Sequence, residues 1–296
     1  MDFASFLDAF KRGLNNRYVK WIVKLGATAL AIWIVSTSIE FSELWAKMKT
    51  ANLLYIFFAF VLMVLSKFLS IARISVFYEA HEIRMDYKTN FKLFFIGLFY
   101  NMILPGGFGG DGYKVVWLRA NGFSEKVKNA LRATLLDRLN GMIGLMLITC
   151  GVVYLSSLMA IDEISYVIYA SPIVAILGTL LCFRVFTNTV IVQLKTLPYS
   201  LLIQGLSVLA LCLNAYAIAG IDWIEYTAGF SLSTFTFLVP LFIGGVGSRE
   251  VFLTFMEPLL DIQLNVVLAA IMFNHAQRLA MALVGLPYIL KQKKVL

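Results

Sequence analysis

Leu104-Pro105-Gly106-Gly107-Phe108-Gly109-Gly110-Asp111-Gly112-Tyr113-Lys114 is the stretch on which the fold turns. Five glycines fall in the seven positions after Pro105. Such a run cannot hold a helix, since glycine costs about 1 kcal/mol per helical position and proline about 3. Its flanks, Phe91–Leu104 and Tyr113–Leu118, are nevertheless apolar. In a bilayer, unpaired backbone is tolerated only where it is buried in protein or lines a wet cavity. A broken backbone at membrane depth is therefore a candidate binding site. A second break follows at Val239-Pro240-Leu241-Phe242-Ile243-Gly244-Gly245-Val246-Gly247-Ser248-Arg249-Glu250, between Thr227–Ile243 and Val251–Leu260. Gly106-Gly107-Phe108-Gly109 aligns with Gly244-Gly245-Val246-Gly247, so the chain reads as two copies of one device.

Composition sets the solvent. Hydrophobic residues make up 60 % of the chain and charged ones 14 %, and the mean hydropathy is +0.82. Those values exclude an ordinary water-soluble domain. The net charge of +8 then reads first as an orientation signal on the cytoplasmic side of a membrane, and nucleic acid is not an expected partner. Cys150, Cys182 and Cys212 lie scattered in apolar segments without metal-ligand spacing and read as packing residues. With two histidines in the chain, a histidine metal cluster or a Ser-His-Asp system is not expected, and no cofactor is.

Six apolar stretches reach the length needed to cross a bilayer: Trp21–Ile39, Leu53–Tyr78, Ala130–Leu158, Ile164–Phe183, Tyr199–Ala219 and Leu264–Leu290. The two segments that run into the glycine breaks read as re-entrant hairpins: in as a half-helix, a turn at the glycines, and out again. Residues 1–20 form an amphipathic opening suited to the membrane surface, and the first apolar core is too long for a cleaved signal peptide. With the N-terminus in the cytoplasm, Arg84, Lys88, Lys126, Lys128, Arg184, Lys195 and the tail 291–296 fall inside. Glu40, Asp162, Glu163, Asp222, Glu225 and Asp261 fall outside, and Lys47 and Lys49 run against the bias. The fold class that follows is an all-α integral membrane protein with about six transmembrane helices and two re-entrant hairpins. The hairpins enter from opposite sides, which makes inverted repeats over about 53–158 and 199–290, joined by a linking span at 164–183. Transporters use that architecture to expose one central site alternately.

Gly107-x-Gly109-x-x-Gly112 matches the dinucleotide fingerprint by letter, but the fingerprint needs a preceding strand and a βαβ unit. Lys114 is displaced by one from the Walker position. The glycine loops still carry anion chemistry, because converging backbone N–H groups and a half-helix N-terminus favour negative charge. Asp111 and Ser248 occupy expected N-cap positions. The alternative is that the glycines only permit tight packing. Lys67, Arg73, Asp137, Arg138, Arg249, Glu250 and Arg278 place charge within or beside apolar segments. Each needs a partner or a wet cavity. For the arginines the alternative to phosphate binding is snorkelling, or an ion pair with Asp137 or Glu250.

Leu104-Pro105-Gly106-Gly107-Phe108-Gly109-Gly110-Asp111, and Pro240 with Gly244-Gly245-Val246-Gly247-Ser248-Arg249-Glu250, resemble the paired elements of one known family. It is the transmembrane, flippase-like region of lysylphosphatidylglycerol synthases, which includes stand-alone proteins, and Arg73 sits where the family usually carries an arginine. The resemblance implies translocation of lipids with phosphate headgroups, either anionic phospholipids or polyprenyl-phosphate-type carriers. Some members add a cytosolic aminoacyl-transfer domain. This chain ends at Leu296, directly after its last span, so transport rather than synthesis is expected.

The expected function is flipping of an anionic, phosphate-headgroup lipid across the cytoplasmic membrane, with both termini inside and a homodimer left open. Gly106, Gly107, Gly109, Gly110, Asp111, Arg73 and Arg138 are the site residues expected from the first half. Gly244, Gly245, Gly247, Ser248, Arg249, Glu250 and Arg278 are those of the second. A channel for a small solute and a membrane enzyme on a lipid-linked substrate are the alternatives. The channel lacks the Asn-Pro-Ala of aquaporin-type pores, and the enzyme lacks metal-binding partners for Asp111 and Asp137.

Overall fold

The computed structural model describes residues 41–103, 109–185, 189–220, 223–238 and 247–291, together with Trp33. The opening segment at 1–20, nearly all of the first expected span and residues 292–296 of the tail lie outside the described residues. Regular structure among the described residues is entirely helical. The elements are α1 (Phe41–Thr50), α2 (Leu53–Ala80), α3 (Tyr87–Ile103), α4 (Gly109–Ala120), α5 (Val127–Tyr154), α6 (Asp162–Val185), α7 (Thr189–Ala219), α8 (Trp223–Thr234), α9 (Ser248–Leu260), α10 (Leu264–Leu283) and α11 (Leu286–Lys291). Short 3₁₀ turns follow α5 and α8.

Among the described residues, four stretches are long and apolar enough to cross a membrane: Leu53–Ala80, Val127–Tyr154, Val190–Ala219 and Leu264–Lys291. At 1.5 Å per residue a 28-residue helix such as α2 is about 42 Å long. Asn52 caps α2 by accepting from the Leu54 N–H at 3.0 Å. One side of α2 exposes Leu54, Phe57, Phe58, Val61, Leu65 and Phe68, a surface that water would not tolerate and lipid covers. In the turn beyond α2, Asp86 starts α3. Hydrogen bonds from the Thr89 hydroxyl and N–H hold its carboxyl below the usual carboxylate range.

α7 is the hub of the bundle, packed against α2, α5, α6, α8 and α10. It runs antiparallel to α2. The Asn52 N–H donates to the Ala217 carbonyl at 2.7 Å at one end, and Arg73 meets Ser200 toward the other. The sequence reading starts this span at Tyr199, after Pro198. The helix instead begins at Thr189 and runs through Pro198. The proline removes one N–H from the ladder, but the turns before it are held in place. Gln193 and Thr196 are buried, and the Asn140 amide donates to the Gln193 carbonyl at 3.0 Å. The last expected span also differs, because it divides at Val284–Gly285 into α10 and α11. A side chain at Gly285 would collide with the Phe95 carbonyl, so this joint is where α3 passes.

α3 ends at Ile103 and α4 starts at Gly109, and the 3₁₀ turn after α8 ends at Leu238 and α9 starts at Ser248; residues 104–108 and 239–246 lie outside the described residues. α3 packs on α4, and α8 packs on α9. The α3–α4 contact is backbone to backbone: a Cβ at Gly110 would overlap the Gly97 carbonyl. Small residues of this kind let membrane helices close in. Each short helix sits in its own core. Val115 and Leu118 of α4 pack with Ile74 and Phe77 of α2 and Leu136 of α5. Leu253 and Leu260 of α9 pack with Phe230 of α8, Leu211 of α7 and Val267 of α10.

Candidate functional site

The first half assembles around the start of α4. Asp111 lies inside the first turn of the helix, which begins at Gly109, and so does not cap it as the sequence reading expects. Its carboxylate faces sideways: one oxygen takes the Lys114 ammonium at 3.2 Å and the other takes Nε of Arg138 on α5. Lys114 is buried, with its ammonium 5.1 Å from the Phe94 ring centre, in a slot that the missing side chain of Gly97 leaves open. The Gly110 N–H donates to the Asn101 side-chain oxygen at 2.7 Å, which spends one free donor of the helix start inside the hairpin.

Beside this pair stands a second one. Arg73 is 7 % exposed and grips Asp137 with two hydrogen bonds, Nε to Oδ1 at 2.8 Å and Nη2 to Oδ2 at 3.2 Å. Its Nη1 donates to Ser200 of α7 at 2.9 Å, and Ser200 in turn donates to Asn140. The guanidinium lies against Gly141, where a side chain would press within 3.1 Å of Nη1. Four side chains from three helices thus form one satisfied network, the arrangement that a buried charge requires.

The second half repeats the plan with different residues. Gly247, at φ +92°, precedes α9, and it rather than the expected Ser248 is the cap residue. Only glycine adopts that conformation readily. Glu250, in the first turn, accepts from the Gly247 N–H at 2.9 Å through one oxygen and meets Nε2 of His275 on α10 at 2.8 Å through the other. Arg278, one turn beyond His275, lies within the electrostatic reach of Glu250 and of Arg249. Arg249 is 6 % exposed and donates to the Thr234 hydroxyl, tying α9 back to α8. Ser248 receives the Thr236 hydroxyl at 3.2 Å.

In each half, therefore, the carboxylate in the first turn after the glycine break meets a basic side chain of the following long helix. In the first half these are Asp111 and Arg138, and in the second Glu250 and His275. Residues 21–199 match the family described as the lysylphosphatidylglycerol synthase transmembrane region. The chain belongs to this family. No curated protein matches it. As a member, it is a membrane-spanning protein concerned with lipid handling. The family match takes in Arg73, Gly109, Gly110, Asp111 and Arg138. It ends before the second glycine break and Arg278.

Gly106, Gly107, Gly244 and Gly245 lie outside the described residues. Of the remaining expected site residues, the structure brings Asp111 to Arg138, and Arg249 and Glu250 into reach of Arg278. Arg73 is separately engaged by Asp137. Sequence reasoning left Lys114, Asp137, His275, Ser200 and Lys67 out of the site. Lys67, Asp137 and His275 carried a usable signal, polarity within an apolar span. Lys114 and Ser200 carried none, because their roles depend on which helix lies opposite.

Proposed function

We propose that this protein flips an anionic, phosphate-headgroup lipid between the leaflets of the cytoplasmic membrane. The lipid chains stay in the bilayer while the headgroup passes between the two glycine breaks. In this reading the chain has six spans and two re-entrant hairpins in inverted repeats over about 53–158 and 199–290, with both termini in the cytoplasm. Access to the central site alternates between the halves. It acts as a transporter rather than an enzyme, with membrane lipid as its partner.

The observation that carries this reading is the recurrence of one device: glycine break, short helix, first-turn carboxylate, and a basic partner on the next long helix. In this reading each device holds a basic side chain and a helix N-terminus within the membrane, where an anionic headgroup competes with the carboxylate for the basic partner. Arg138 and Arg278 are the cations offered to a phosphate, because the arginine fork matches two phosphate oxygens. Family membership supports a lipid as the ligand. Mass spectrometry of lipids retained through purification tests it. A phosphate-headgroup lipid enriched over its share of the membrane is the expected result, and retention in proportion to bulk abundance would count against the reading.

A further inference from the structure

Lys67 is the fifteenth residue of the 28-residue α2, about 20 Å along the axis from either end at 1.5 Å per residue. That is beyond the half-thickness of the hydrocarbon layer, about 15 Å, and further than a lysine reaches by snorkelling. The side chain is half-buried. Among the described residues it has no hydrogen-bond or ion-pair partner, unlike Arg73 and Lys114. Its electrostatic surroundings are positive as well: Arg278 of the second half and Arg73 of the first both act on it. α2 and α10 touch one turn away, where the Asn274 amide donates to the Met63 sulfur at 3.3 Å. Met63 precedes Lys67 by four residues, so Lys67 lies on the face of α2 that meets α10.

We infer that Lys67 is a phosphate-binding residue at the centre of the bundle, shared by the two halves of the protein. The inference rests on the proposed function and specifies which group holds the headgroup midway. An ammonium in the field of two arginines, with no carboxylate partner among the described residues, is costly in a membrane. An anion that visits removes the cost. Bound at Lys67, an anion also offsets the repulsion from the two arginines. The carboxylates of the two halves are engaged elsewhere: Asp137 with Arg73, Asp111 with Lys114 and Arg138, and Glu250 with His275. Lys67 therefore differs in kind from the arginine in the buried network, which is there to be satisfied by protein.

The test uses the full chain in phosphatidylcholine nanodiscs containing spin-labelled phosphatidylglycerol, with the protein-associated fraction of the probe read by electron paramagnetic resonance. The parent should prefer this probe over spin-labelled phosphatidylcholine. Lys67→Met should lower that preference by about tenfold, the scale of one lost hydrogen bond to a charged group, and Lys67→Arg should keep most of it. A structural role gives the opposite stability signature: Lys67→Met should raise the thermal unfolding midpoint, since it removes an uncompensated charge, whereas a structural lysine would lower it. Added inorganic phosphate identifies the source of the phosphate. Displacement of the probe only when Lys67 is present would keep Lys67 as a phosphate site but make the anion a soluble one, overturning the lipid reading. An unchanged preference in Lys67→Met overturns the inference and leaves the proposed function standing. A parent that shows no preference overturns both.

Discussion

Asp111 and Arg138, 27 residues apart in sequence, are joined through Oδ2 and Nε, so the start of α4 is fastened to the middle of α5. The arginine that sequence reasoning assigns to a phosphate thus already has a carboxylate partner. On the proposed function, a phosphate arriving at Arg138 would share it with Asp111.

Arg138→Gln should slow lipid transfer by about tenfold or more, since hydrogen bonds to charged groups contribute roughly 1.5–3 kcal/mol. Arg138→Lys should recover only part of the rate, because the planar fork is lost. In a double-mutant cycle, Asp111→Asn should add little to the effect of Arg138→Gln. Fully additive effects would show that the two residues act separately.

The Arg73–Asp137 network makes a different prediction. Breaking a buried ion pair from one side strands the other charge and costs about 3–5 kcal/mol. Asp137→Asn and Arg73→Gln should each lower the thermal unfolding midpoint in detergent, and removing both charges together should cost less than the sum. A midpoint unchanged in both single variants would mean that the pair does not hold α2 to α5.

Gly110 and Gly112 are two residues apart and should respond oppositely. An added methyl at Gly110 collides with the Gly97 backbone, while at Gly112 it meets nothing within 4 Å. Gly110→Ala should open the α3–α4 crossing and lower stability and transfer together. Gly112→Ala, at an exposed helical position, should be neutral or stabilising by up to about 1 kcal/mol. Equal tolerance at both sites would remove the close crossing from the account.

The contrast between these glycines marks what the sequence can disclose. The apolar runs at Leu53–Tyr78 and Tyr199–Ala219 disclose their helices because lipid demands length and apolarity from each residue in turn. The glycine run 106–112 is legible only in part, since it reads as unable to hold a helix yet Gly109, Gly110 and Gly112 lie in α4. The start of α7 is not legible, since Pro198 and Lys195 read as loop residues until Asn140 and Gln193 are seen to hold those turns. The break at Gly285 is hidden in an unbroken apolar run, its reason being the Phe95 carbonyl on another helix. The site divides in the same way. That Asp111, Arg138 and Glu250 need partners is legible from charge in an apolar setting, whereas the choice of partner depends on which helices face each other.

Topology is tested with single cysteines in a cysteine-free background. Probes near Lys126 and Lys195 should react only from the cytoplasm, and those near Asp162 and Glu225 only from outside. Labelling at Lys195 from the opposite face would mean that the first glycine hairpin crosses the membrane, and the inverted repeat would be lost.

The most direct measurement is transfer itself. The protein is reconstituted into liposomes with a fluorescent anionic phospholipid or its zwitterionic counterpart, and a membrane-impermeant quencher is added to one side. The account predicts that the anionic lipid becomes accessible faster than in protein-free liposomes and faster than the zwitterionic one, and that Arg278→Gln slows it. Anionic transfer no faster than in protein-free liposomes, or equal rates for both lipids, would contradict it.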